Sequence, residues 1–304
     1  MQIIRAEHLG MCFGVRDAID LAVDTARAEP LTVLGSLVHN AEVLAALTRR
    51  GIRSVDDPAR VPTRTAMITA HGASERLLAE ARGLGLNLIE ATCPLVDVAH
   101  KAVRTLVAGG YHPVIIGRTG HVEVRGLTED LERVDVILED EDVLRLTPHA
   151  RFGVAAQTTQ PIERVRHLVA MIRSRFPQSE VRFIDTVCRP TKERQSAASD
   201  LARRSDVVIV IGGANSNNTS ELVTTCRKHC GRVHHVQNEG DLQSEWFRVS
   251  DIVGITAGTS TPDEVIDRVE RSIRMLATCA PVDAAKSDAA ANESRRTNPG
   301  RTNR

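Results

Sequence analysis

Short runs of apolar residues recur along the chain, and each closes in small and polar residues: TVLGSLVHN, AMITAHG, VIIGRTGH, FGVAAQTT, VVIVIGGANSNN and IVGITAGTS. A brief, nearly continuous apolar run reads as a strand buried on both faces, the pattern of parallel sheets. Between the runs lie stretches of helical character at about 41–50, 74–84, 162–175, 220–229 and 262–276. After Cys12, Val15, Ala18, Ile19, Ala22, Val23 and Ala26 fall on one face at the 3.6-residue period, with Asp17, Asp20 and Asp24 elsewhere. Alternating strands and helices predict open parallel α/β sheets, whose ligands bind beyond the carboxyl ends of the strands. The polar loops that close each run are therefore the expected functional rim.

Three cysteines share one local plan. QIIRAEHLGMC-FGVRDAIDLAV, NLIEATC-PLVDVAHKAVRTLV and RFIDTVC-RPTKERQSAASDLA each run from a strand-like segment through a cysteine into a helical one, at separations of 81 and 95 residues. The repetition predicts three units, at about 14–93, 94–188 and 189–276, with a first strand within 1–13 joining the sheet of the third. The segment 277–304 lacks apolar periodicity, is rich in Ala, Ser, Asn and Arg, and reads as a disordered tail carrying Cys279.

Composition narrows the function classes. With 304 residues and 42% apolar content the chain can bury more than one core. Lys+Arg and Asp+Glu balance at 39 each, so there is no overall attraction to nucleic acid or an anionic membrane. No charged-then-apolar leader opens the sequence, and no apolar run approaches the roughly 18 residues of a membrane span. The expectation is a cytoplasmic protein, in which six cysteines are reduced thiols or metal ligands and not a disulfide framework. Aromatic residues make up 2%, which leaves few stacking platforms and favours a small aliphatic or phosphorylated ligand.

Four constellations carry candidate chemistry. Cys12, Cys93 and Cys188 have three readings: buried structural cysteines, a zinc site, or the ligands of an iron–sulfur cluster with one iron left open. Zinc usually draws on close C-x2-4-C pairs, which these three do not form. Pro94 suits a first helical position and sets Cys93 at a helix N-terminus, where the dipole favours thiolate. His39, His71 and His121 each follow a strand, and as imidazolium ions would neutralise a diphosphate. The loop GGANSNNTSEL offers Ser216, Asn217 and Asn218 either as helix caps or as an anion site, and AGTSTPDEV repeats the device with Ser260. Glu123, beside His121, and Thr158 stand on the same rim; a buried carboxyl there would have a raised pKa and could hold a proton for transfer. Cys226 and Cys230, four apart with His229 adjacent, supply only two thiols on one helix face and are left out of the site.

Taken in order, GMCFGV, GSLVHN, TAHG, ATCPLV, GHVEVRG, AAQTTQ, DTVCRPTKERQ, the Ser/Asn loop and TAGTSTPD resemble the 4-hydroxy-3-methylbut-2-enyl diphosphate reductase family over residues 2–276. The resemblance implies a pseudo-threefold α/β trefoil of three small parallel-sheet units around a central 4Fe–4S cluster held by Cys12, Cys93 and Cys188. It implies a diphosphate site at His39, His71, Ser216, Asn217, Asn218 and Ser260, with His121, Glu123 and Thr158 near the substrate hydroxyl. Glu123 would be the proton source, and electrons would come from a ferredoxin- or flavodoxin-type donor. The products implied are isopentenyl and dimethylallyl diphosphate. Val122 stands where the family pattern has proline, Asn217 where it has serine, and Glu221 where it has arginine. Two other classes compete with this reading: a three-cysteine dehydratase resembling quinolinate synthase, and a non-catalytic iron–sulfur sensor.

Overall fold

The computed structural model describes residues 1–279 and resolves them into three four-stranded parallel sheets. The first contains β2 (Leu31–Leu34), β3 (Arg53–Val55), β4 (Thr65–Ile68) and β5 (Asn87–Glu90), ordered β3-β2-β4-β5. The second contains β6 (His112–Ile116), β7 (Asp135–Ile137), β8 (Arg151–Ala156) and β9 (Glu180–Phe183), ordered β7-β6-β8-β9. The third contains β10 (Val207–Ile211), β11 (Val233–Val236), β12 (Ile252–Ala257) and, at its edge, β1 (Gln2–Arg5), ordered β1-β12-β10-β11. All three sheets therefore have one winding order, second-first-third-fourth. In the third sheet the start of the chain supplies the fourth strand, with Gln2 opposite Ile252 and Arg5 opposite Ile255.

Helices cover both faces of each sheet. In the first unit these are α1 (Phe13–Ala28), α2 (Ala41–Arg49) and α3 (Glu75–Gly83). The second has α4 (Pro94–Ala108), α5 (Val122–Thr128), α6 (Asp140–Arg145) and α7 (Ile162–Arg175), and the third α8 (Arg189–Arg203), α9 (Asn217–Arg227) and α10 (Asp263–Cys279). Strand alternation splits each unit into two cores. Val114, Ile116, Phe152 and Val154 pack beneath α7, whereas Ile115 and Ala155 pack on the opposite face with Ala99, Val103 and Leu106 of α4. Val208 and Val210 likewise face α8 and α9, while Val207, Ile209 and Ile211 face α10. Two buried faces explain why the strands read as unbroken apolar runs.

Several details differ from the sequence expectations. The helix expected from 220 begins at Asn217, because the Ser216 hydroxyl accepts the Thr219 amide (3.3 Å) and caps the turn earlier. Asn217 and Asn218 therefore lie in the first helical turn and not in a loop. The short α5 and α6 and the three- and four-residue strands β3, β7 and β11 had no counterpart among the expected elements. From residue 280 the expected tail lies outside the described residues; α10 extends over 277–279.

Phe152 is fully buried, with its ring centroid 4.9 Å from that of Phe176. Phe152→Ala is expected to destabilise the metal-free chain by about 3–5 kcal/mol in urea unfolding, the range for a phenylalanine cavity in a packed core. A loss below about 1 kcal/mol would mean that the second unit does not unfold with this core.

Candidate active site

In each sheet the first and third strands are central neighbours, and the chain leaves them in opposite directions. That is a topological switch point, the place where open α/β sheets receive ligands. The six loops leaving these strands carry the candidate residues. His39 follows β2 and His71 follows β4; His121 follows β6, and Thr158 and Thr159 follow β8. Ser216 follows β10, and Ser260 follows β12. The fourth strands β1, β5 and β9 lead instead to Cys12, Cys93 and Cys188, the residues that immediately precede α1, α4 and α8 at their N-termini.

Each cysteine is bound to its sheet in the same way. The amides of Cys12, Cys93 and Cys188 donate to the carbonyls of Thr259, Ala70 and Thr158, each at 3.0 Å. Those carbonyls belong to the loop after the third strand of the same sheet. Gly14 lets two units meet here, since a Cβ in its place would sit 2.4 Å from Cys93 Sγ.

The three imidazoles come together from two sheets. Ring centroids are 4.8 Å apart for His39 and His71, 5.2 Å for His39 and His121, and 5.6 Å for His71 and His121. They share one cavity with Ser216, Asn217, Asn218, Thr159 and Ser260. A second cavity of about 440 Å³ adjoins it through His39 and His121, with Arg118 on its wall. A larger one of about 650 Å³ between α1, α2 and the start of α10 contains none of the candidate residues.

Polar atoms at the shared cavity are buried without partners: Nε2 of His39, both side-chain amide atoms of Asn218 and the hydroxyl of neighbouring Thr219. Each unpaired buried polar group costs about 1–3 kcal/mol, so such a cluster points to a polar ligand that completes it. Other groups are already committed. Ser260 Oγ donates to the His39 carbonyl (3.3 Å), and Asn217 Nδ2 donates to Thr159 Oγ1 (3.0 Å). A Cβ on Gly213 would lie 2.1 Å from the His39 carbonyl oxygen, so only glycine allows the first and third units to approach this closely.

Glu123 is buried in the first turn of α5. Its carboxylate accepts the Thr158 amide at 2.6 Å and the Thr158 hydroxyl at 3.1 Å. His121 Nδ1 accepts the Glu123 amide (3.2 Å), which fixes the neutral ring with its proton on Nε2. Burial outweighs the two Thr158 hydrogen bonds and lifts the Glu123 pKa to about 7. It also holds the histidines neutral. Desolvation followed by the neighbouring rings puts His71 well below its ordinary value, and desolvation with His39 and Arg118 brings His121 to about 4. His39 falls through burial and Arg118. The expected imidazolium trio is thus not present without a ligand, because three like charges cannot share a desolvated space.

Two of the thiols behave in the same way. Helix N-termini should favour thiolate, yet burial raises Cys93 and lifts Cys188 to about 11, with the local hydrogen bonds a smaller opposing effect. Without a metal these thiols keep their protons, and metal binding must expel them. Among the described residues, one group of ligand-type side chains has its donor atoms all within 4.8 Å: His112, Asp135 and His149. Its imidazoles are stacked at 3.7 Å and 2° from parallel, so their in-plane lone pairs run side by side and do not converge. The three thiols do not all fall within that distance, whereas one tetrahedral ion with Zn–S of ~2.3 Å needs sulfurs about 3.8 Å apart. Three soft thiolate donors, one from the exit of each sheet, are the donor set of a polynuclear iron–sulfur centre.

The sequence matches the model of the LytB protein family over residues 3–274. The chain belongs to the LytB family. A 4-hydroxy-3-methylbut-2-enyl diphosphate reductase of Geobacter sp. (strain M21) is 39% identical over 276 residues, covering 88% of this chain and 97% of the relative. The corresponding protein of Pelobacter propionicus is 35% identical, covering 88% and 96%. The solved E-1-hydroxy-2-methyl-but-2-enyl-4-diphosphate reductase of Plasmodium falciparum superposes with a TM-score of 0.83 at 25% identity, over 89% of this chain and 87% of that one. A solved (E)-4-hydroxy-3-methyl-but-2-enyl diphosphate reductase, the terminal enzyme of the non-mevalonate pathway, gives 0.66 at 35% identity over 90% and 99%. As a LytB-family member the chain has the expected pseudo-threefold α/β fold of three parallel sheets.

Within this LytB-family site, sequence reading passed over Thr159 and Arg118. Thr159 directly follows the residue whose carbonyl accepts the Cys188 amide, the place that His71 holds after β4 and Ser260 after β12. Arg118 carried no spacing signal. Glu221 is buried and paired with Arg164 of α7 at 2.7 Å. Cys226, on α9, and Cys230, just beyond it, are core residues packed with α8.

Glu123 gives the apo chain a defined pH response. Its folded pKa is raised from 4.5 to about 7, so its contribution to stability is fully present below 4.5 and is lost as pH rises through 7. Urea unfolding of the metal-free chain across this window should show wild type losing stability relative to Glu123→Gln. Parallel curves for the two proteins would place the proton elsewhere.

Proposed function

We propose that this LytB-family chain reductively dehydroxylates 4-hydroxy-3-methylbut-2-enyl diphosphate to isopentenyl and dimethylallyl diphosphate. The observation that carries the reading is the cavity where three histidines and unpaired buried groups of Asn218 and His39 lie together, with the Glu123 carboxyl following directly on the His121 loop. Neutral donors in a desolvated pocket suit a diphosphate. They hydrogen-bond to it at once, and its charge would raise the histidine pKa values so that protons enter with the ligand.

Cys12, Cys93 and Cys188 would hold a 4Fe–4S cluster, three thiolates leaving one of its irons without a protein ligand. When bound, the cluster supplies the electrons and a Lewis-acid iron without a protein ligand. His39, His71, Ser216, Asn217, Asn218 and Ser260 bind and orient the diphosphate, and the apolar Val15 and Val38 exclude water. Glu123 holds a proton beside the leaving hydroxyl. Its pKa of about 7 lets it be protonated at neutral pH and still give that proton up. Thr158 aims the carboxyl through two hydrogen bonds, and His121 shares the hydroxyl environment. The overall change takes up two electrons and two protons, breaks the allylic C–O bond and releases water. The electrons come from a ferredoxin- or flavodoxin-type donor in the cytoplasm. Among the described residues no helix is long and apolar enough to cross a membrane.

Anaerobic purification followed by turnover of the allylic diphosphate with reduced methyl viologen tests the proposal. About four irons per chain and five-carbon diphosphate products are expected; a loaded cluster without turnover would defeat it. Glu123→Gln should keep its iron and lose about 10²–10⁴-fold in kcat, the usual weight of a general acid. Cys93→Ser should lose the cluster, and full iron retention in that variant would remove Cys93 from the ligand set.

A further inference from the structure

Arg194 is buried in the first half of α8, one and a half turns beyond Cys188. Its guanidinium spans two loops. Nε and Nη2 donate to the Gly10 carbonyl at 3.0 and 2.8 Å, and Nη1 donates to the Pro190 carbonyl at 3.1 Å. Gly10 lies two residues before Cys12, and Pro190 two residues after Cys188. Among the described residues Arg194 makes no ion pair; the adjacent Glu193 is taken by Arg189 at 2.5 Å. A buried guanidinium remains protonated, and leaving it without a countercharge is expensive. Burial disfavours its charge, and the groups that would favour it are, in order, the thiolates of Cys12 and Cys188 and then Glu193.

We propose that Arg194 is a positioning residue that fastens the Cys12 and Cys188 loops to each other and acts as the fixed countercharge of the iron–sulfur site, raising its reduction potential. The inference rests on the cluster reading given above. Reduction transfers one electron from the ferredoxin- or flavodoxin-type donor and so adds one negative charge to the thiolate-ligated centre. Arg194 neither gains nor loses a proton, and its positive charge stabilises the reduced state more than the oxidised one. Net charge and hydrogen bonding near the ligands are the levers by which a protein sets such a potential. The bidentate hold on Gly10 requires the guanidinium fork, whereas the electrostatic effect requires only a cation.

Arg194→Gln and Arg194→Lys, purified anaerobically and loaded with cluster, separate these contributions through iron content and a redox titration followed by visible absorption and electron paramagnetic resonance. Arg194→Gln at wild-type iron content should titrate at a more negative potential, and Arg194→Lys close to wild type. Arg194→Gln with full iron and an unchanged potential overturns the proposal. If Arg194→Gln does not load, Arg194→Lys decides. Loading with a near-wild-type potential supports the countercharge, and failure to load or a potential well below wild type reduces Arg194 to a packing role. Wild-type protein that takes up no iron defeats the cluster reading, and this inference falls with it; an unchanged potential in loaded Arg194→Gln defeats this inference alone.

Discussion

One hydrogen bond, made three times, organises this molecule: the amide of a cysteine at the start of a helix donates to a carbonyl in the loop that follows its sheet's third strand. The bond joins the fourth strand's exit to the switch point, so the residue that can hold a metal and the loop that faces a ligand move as one body. Because Cys12, Cys93 and Cys188 then begin α1, α4 and α8, each helix leads the chain out of one sheet and into the next unit. The thiols are therefore fixed at the seams between units, and the unit-to-unit geometry and the site geometry are the same constraint. Gly14 against Cys93 and Gly213 against the His39 carbonyl show how closely the seams are packed.

Desolvation is the dominant electrostatic effect at those seams, and it acts on every titratable type with the expected sign. The Cys93 and Cys188 thiols and the Glu123 carboxyl are pushed up, and the three imidazoles are pushed down. Burial thus favours the neutral forms of these charge-capable groups. A cavity of that kind discriminates by what enters it: a metal centre displaces the thiol protons, and an anion draws protons onto the histidines. Arg194 is the exception, since a guanidinium cannot shed its charge on burial and must be matched from outside itself.

How much of this was legible in the sequence follows from how each feature is encoded. The central strands carried two buried faces and so appeared as apolar runs, and the loops behind them took His39, His71, His121 and Ser260 to the rim. Cys12, Cys93 and Cys188 repeated a local frame, which betrayed the threefold plan. Edge strands such as β3 and β7 are three residues long and left no periodic signal. The state of ionisation was illegible as well, because it depends on depth. The sequence placed imidazoles on the rim, and only the 4.8–5.6 Å ring spacings show that they cannot all be charged without an anion. Thr159 and Arg194 were hidden for a related reason, since their partners lie 58 and 184 residues away.

The third sheet closes the design. Its fourth strand is β1, so the strand, cysteine and helix that connect unit to unit elsewhere here connect the third sheet to the first and bring the path full circle. Cys12 cannot take its place until β12 has formed, since its amide needs the Thr259 carbonyl and β1 needs Ile252–Ile255 as a neighbour. Those contacts span some 250 residues, and closing such a loop costs entropy before any of them is rewarded. The other two cysteines take their partners from within their own units. Cys12 is therefore the thiol whose placement depends on the most distant contacts, and its position requires that β1 has docked on β12. Arg194 lies across that final seam, binding the Gly10 loop to the start of α8. The residue that balances the site's charge is thus also one that holds the ring shut.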